Sequence, residues 1–284
     1  MENPMGLDAG VRCRCFEDGF LLPGPVPTED LFIDEEGYLS SKTLASAYEE
    51  YGYRQYYARF ESLDRAFYEW LEHPCEHEFG EICTEWVANI AGKARFRSVI
   101  DELGGESSYP LLAHILPSGN GGCFPPEKAQ AALGEIDRLL KEIDSVSGWV
   151  LVDVETQKES WSSANNACFT WMYGSACRVS MESSKIVFEH TELGVLKTSH
   201  FRQIPIGPPN LNGEQPMKIV CLEGGGESET HDSLGPEDLP KTERVFKVVE
   251  KTPLYESEGE FHIANKIRRL LVASIQTGNP IRWC

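Results

Sequence analysis

Apolar and polar positions alternate from Leu7 to Cys15, with Leu7, Ala9, Val11, Cys13 and Cys15 set against Asp8, Gly10, Arg12 and Arg14. A period of two predicts a half-buried strand that carries both cysteines on one face. Pro23, Pro25 and Pro27 then rule out a ladder or a helix and predict an extended connection. From Arg54 to Leu71 the period lengthens. Tyr56, Phe60, Leu63, Phe67, Trp70 and Leu71 recur at spacings of three and four, predicting an amphipathic helix that cannot continue through Pro74. A second helix is expected from Thr84, as its N-cap, through Val87, Ile90, Ala94 and Ile100 to a stop at Gly104 and Gly105. A short helical turn over Leu111 to Leu116 follows. Pro125-Pro126-Glu127 then opens a helix with Leu133, Ile136, Leu139, Leu140 and Ile143 in one stripe.

Beyond residue 145 the pattern shortens. Trp149–Val154, Cys168–Met172, Cys177–Met181, Lys185–Glu189, Thr198–Gln203, Met217–Leu222 and Arg244–Val249 are β-type runs separated by turn residues, as in an antiparallel sheet. Residues 205–216 and 223–241 are polar and rich in glycine or proline, and are expected as flexible surface. A last helix is predicted over Glu260–Thr277, with Ile263, Ile267, Leu270, Leu271 and Ile275 inward and Gly278 as its stop. Trp283 reads as a packed anchor. The pattern therefore predicts an α+β fold. Its parts are a mostly helical 1–145 entered by one strand, a β-rich 146–250, and a C-terminal helix and tail, 251–284, docking back.

Composition changes this picture little. Of 284 residues, 41% are hydrophobic and 25% charged, an ordinary globular balance. Charge changes it more. Twenty-six Lys and Arg face 45 Asp and Glu, for a net charge of −19, a field that repels nucleic acid and anionic membrane surfaces. Residues 1–100 hold 9 basic and 19 acidic groups, which reads either as a solvated surface that keeps the chain soluble or as a recognition face for a basic protein partner. No stretch reads as a signal peptide or a membrane span, so the nine cysteines are expected as cytosolic thiols or metal ligands.

The densest chemistry lies between His73 and Cys83, where His73, Cys75, His77 and Cys83 fall within eleven residues. With the early cysteines they suggest a structural zinc site of Cys13, Cys15, Cys75 and His77, since zinc favours four tetrahedral thiolate and imidazole ligands. His73 or Cys83 could replace a member of the set. Three other readings are open. The cysteines could be small buried apolar residues. His73-Pro74-Cys75-Glu76-His77 fits the H-x-x-E-H pattern of a metal-dependent hydrolase, although Pro74 interrupts it. Cys75 could also be a nucleophile served by a histidine, although Glu76 and Glu78 beside it would raise a thiol pKa.

Met5-Gly6-Leu7-Asp8-Ala9 leading to Cys13-x-Cys15, then Cys75-Glu76-His77-Glu78, then Thr277-Gly278-Asn279-Pro280-Ile281, resembles a family of uncharacterised bacterial proteins with no established activity. The resemblance implies a bacterial cytosolic protein that usually starts at Met5. It also links Cys13, Cys15, Cys75 and His77 as one recurring set. The expected function is non-enzymatic: an acidic interaction protein, of the kind that neutralises a basic partner as bacterial immunity proteins do. Hydrolysis through the His73–Cys83 stretch is the alternative.

Overall fold

In the computed structural model, which describes residues 6–119, 121–164, 168–173, 177–236, 238–255 and 261–284, the N-terminal alternation forms strand β1 (Gly6–Arg12). The strand ends one residue before the first cysteine, so Cys13 and Cys15 do not extend its face but lie in the bend after it. A hairpin of β2 (Leu31–Ile33) and β3 (Leu39–Ser41) leads into α1 (Lys42–Leu71). This helix starts twelve residues before the predicted Arg54, because the Ser41 side chain caps the Leu44 amide and Asp30 accepts from the Thr43 amide. Gly52, at φ 64° and ψ 169°, kinks it. Leu44, Ala47, Tyr56 and Phe67 form its buried side, packed with Val26 and Leu31.

The helix predicted from Thr84 is instead strand β4 (Glu81–Asn89). Exposed Ile82, Thr84 and Trp86 alternate with the less exposed Cys83 and Glu85, a strand period carried by β-branched and aromatic residues. β4 pairs antiparallel along the whole of β1. Helix α2 (Ile90–Glu102) begins only after it, where the Asn89 side chain accepts from the Gly92 amide. The chain continues through the four-residue α3 (Gly105–Ser108), a 3-10 turn at Leu112–His114, β5 (Cys123–Phe124), and α4 (Ala129–Glu142) with the expected Pro126 start.

Ten strands follow: β6 (Gly148–Asp153), β7 (Glu159–Ala164), β8 (Cys168–Tyr173), β9 (Cys177–Glu182), β10 (Lys185–His190), β11 (Gly194–Thr198), β12 (His200–Pro205), β13 (Met217–Cys221), β14 (Glu227–Thr230) and β15 (Arg244–Lys251). Helix α5 (His262–Thr277) and strand β16 (Ile281–Trp283) end the described order.

Two compact units result. The first comprises Met1–Lys93, Tyr109–Arg138 and His262–Cys284, and its sheet runs β4-β1-β16-β5. Helix α5 docks on this sheet, with Ile263, Ile267, Leu270 and Leu271 buried, and is held by Lys266 on the Trp86 carbonyl and Arg269 on Glu85. Ile275 points outward at 37% exposure, and Ser274 and Thr277 take the buried stripe instead. Trp283 is buried, as its anchor role requires, but within a strand.

The second unit, Ala94–Ser108 with Leu139–Phe261, combines the helical segment 94–108 with two antiparallel sheets that form a sandwich. Sheet β14-β13-β12-β15-β6-β7 faces sheet β11-β10-β9-β8. Val179, Ile186 and Phe188 of one meet Phe201, Ile219 and Phe246 of the other, with the Phe188 and Phe201 rings edge to face at 5.4 Å. Strand β14 lies inside the stretch expected to be flexible. Its inward positions, Ser228 and Thr230, are buried but polar, so hydropathy gave no sign of them.

Candidate metal centre

Two bends build the centre. The first leaves β1 through Cys13 and Cys15. The second leaves α1 through Pro74, Cys75 and His77 and enters β4. Backbone bonds join them, from the Cys13 amide to the Gly80 carbonyl at 2.8 Å and from the Leu22 amide to the Pro74 carbonyl at 2.8 Å. Phe79 allows the second bend to close, at φ 54°, a left-handed conformation unusual for a bulky residue. Gly80 follows at φ 65°, where glycine carries no such penalty.

The bends bring Cys13, Cys15, Cys75 and His77 together, their ligand atoms all within 4.8 Å of one another. Cys13 Sγ is 3.7 Å from Cys75 Sγ, Cys15 Sγ is 3.4 Å from His77 Nδ1, and Cys75 Sγ is 3.7 Å from the same nitrogen. Metal bonds of about 2.0 Å to nitrogen and 2.3 Å to sulfur give a tetrahedron with edges of about 3.5–3.8 Å. The three measured separations fall at or close to that range, so the four groups can hold one metal ion. Among the described residues no other such group of His, Cys, Asp and Glu exists. His73 and Cys83 are outside it: Cys83 sits within β4, and residues 73–77 form bends and not a helical turn. The helical face that an H-x-x-E-H site needs is therefore absent between His73 and His77.

The surroundings suit thiolates. The Cys15 amide lies 3.5 Å from Cys13 Sγ and the His77 amide 3.4 Å from Cys75 Sγ, two donors turned toward sulfur. All three cysteines are buried. Burial pushes the Cys13 thiol up, and burial together with the neighbouring sulfurs pushes Cys15 up to about 12. Four buried or half-buried protein ligands match the number and chemistry of a four-coordinate site.

Sequence reasoning did not assign the clamp around this centre. The Asn279 amide group donates to the carbonyls of Arg12 at 2.9 Å and Cys13 at 3.2 Å, while its oxygen accepts from Arg12 Nη2. Arg12 in turn pairs with Glu17. The only signal was indirect: the segment Thr277–Ile281 belongs to the resemblance together with the cysteines.

No protein-family model matches the chain, and neither the curated proteins nor the solved structures give a match. Among the described residues no helix is long and apolar enough to cross a membrane.

Proposed function

We propose that this protein is a non-catalytic interaction protein that captures a basic protein partner in a reducing bacterial cytosol, in the manner of immunity proteins, and that the Cys/His centre is a structural zinc site. One observation carries the reading. From Ala66 to Gly92 the chain has six glutamates and no lysine or arginine, and within that stretch Tyr68, Phe79 and Trp86 are 63%, 60% and 42% exposed. Arg282 and Arg269 answer Glu81 and Glu85, but Glu69, Glu72, Glu76 and Glu78 are exposed, and exposed rings beside these carboxylates supply contact area and a field that steers a cationic partner. Tyr48, Tyr53 and Tyr57 extend the aromatic series along α1. The zinc reading is supported by the ligand chemistry, three thiolates and one imidazole, and by the match to a four-coordinate site. A fixed pair of bends under Phe79 then keeps the surface in one shape.

The test is affinity capture by the zinc-loaded protein from its native host, repeated with a Tyr68→Ala, Phe79→Ala double variant that keeps its zinc. A partner of high isoelectric point, released by raised salt and lost in the variant, supports the proposal. Absence of any stable partner, or capture indifferent to both salt and variant, defeats it.

A further inference from the structure

Beside the candidate metal centre the first unit forms an open cavity of about 670 Å³. That volume lies in the range of small-molecule sites, roughly 300–1,000 Å³. Phe16, Leu21, Leu39, Phe67, Leu71 and Pro74 supply apolar walls, and Tyr68 and Phe79 also line it. Arg12, Arg282, Asp34, Tyr38 and Glu81 provide its polar groups.

The polar groups differ in how fully they are already used. Asp34 accepts from the Glu36 and Tyr38 amides and from the Ser40 hydroxyl. Glu81 accepts from Arg282 and from the Thr84 hydroxyl. Arg12 is divided between Glu17, Asn279 and the Cys13 carbonyl. Arg282 is not fully used. Its side chain is 5% exposed, one nitrogen meets Glu81, its face lies 4.2 Å over the Tyr38 ring, and Nε is buried with no acceptor. A buried guanidinium with an unmet donor is costly, and a turn of the side chain that brings this donor to an acceptor held in the cavity would remove that cost. Asp34 and Glu81 are engaged and Glu72 is open to solvent, so among the lining groups Arg282 alone offers a buried polar atom without a partner.

We propose that this cavity binds a small organic monoanion, its apolar body against Phe16, Leu39, Phe67 and Tyr68 and its carboxylate on Arg282. A planar body of one or two rings suits the aromatic walls, and the Arg282 side chain turns by a rotamer adjustment to present its free edge. This site is separate from the metal centre, shares only Cys13 with it, and does not depend on capture of a basic partner.

Calorimetric titration with 1-naphthaleneacetate and with its uncharged amide tests the proposal on metal-loaded protein of verified metal content. The acid should bind at least about tenfold more tightly than the amide, the worth of one hydrogen bond to a charged group. Arg282→Met should bring the two affinities together, and Leu39→Trp, which adds bulk to the apolar wall, should abolish both. Should Arg282→Met fail to fold, Arg282→Lys serves, with the acid's advantage expected to shrink. No binding of either compound to the folded wild type overturns the proposal, as does equal binding of acid and amide, or acid binding unchanged in Leu39→Trp.

Discussion

Cys13 and Cys15 ionise with difficulty while no cation faces them, because burial disfavours the thiolate and the crowding of three sulfurs adds to it in Cys15. A metal ion must therefore displace protons to bind, and its affinity should rise with pH, by up to about tenfold per unit for each proton released. Competition against a chromophoric chelator across neutral pH measures this, and a flat profile would show that the thiols are not ligands. The metal-free protein should behave in the opposite sense. The unfolded chain ionises its cysteines near the ordinary value of 9.0, whereas folded Cys15 keeps its proton to about 12. The stability this contributes is complete below the first value and lost as pH rises through the second, which alkaline denaturation curves would display. Phe79 offers a different check. It is 60% exposed and left-handed, so Phe79→Gly gives up little burial and relieves strain, and should raise stability by about 1 kcal/mol in urea unfolding. At this scale the Cys/His cluster was legible in part, because Cys75 and His77 sit in a stretch crowded with soft ligands, while the pairing with Cys13 and Cys15 came from the resemblance and not from spacing. The clamp was not legible, since an asparagine after a helix stop looks like any turn residue until its partners are known.

Helix α1 shows what pattern alone conveys about an element. Its later part was visible from the spacing of Tyr56 to Leu71, and its earlier part was hidden behind Gly52, whose φ of 64° and ψ of 169° belong to a region open only to glycine. Gly52→Ala should cost about 1–3 kcal/mol, against the gain expected from alanine in an ordinary helix, and thermal unfolding would separate the two. Strand β4 was misread for a related reason. Val87, Ala88 and the residues after them continue into α2, so helical spacing in the second half spread backward over a strand whose outward side carries Ile82 and Trp86. Pairing with β1 decided the matter, which is tertiary information. The strands of the sandwich with apolar inward positions were legible. Those with serine and threonine inward, such as β14, were not.

On the scale of the whole molecule, the α+β order of strand, helix, β-rich middle and docked helix followed the sequence, while the grouping into two units did not. Segments far apart in the chain make the first unit, and no local pattern records that β1 takes β16 as a neighbour. The four residues that could hold a metal lie wholly within this unit. Removing the ion should therefore speed amide exchange across 6–93 and 262–284 and leave the strands between 148 and 251 protected, as exchange mass spectrometry with and without chelator would show. Equal loss of protection in both would place the centre's influence elsewhere.

The distance between ligands and clamp also has a consequence in time. Asn279 follows Cys13 by 266 residues. At ordinary rates of protein synthesis that interval is roughly 15–50 s, most of it spent after His77 has left the ribosome. Through that period the nascent chain carries a complete ligand set that nothing locks, with its sulfurs open to whatever the surroundings offer. A metal offered during translation would therefore meet the four ligands before the clamp closes over them.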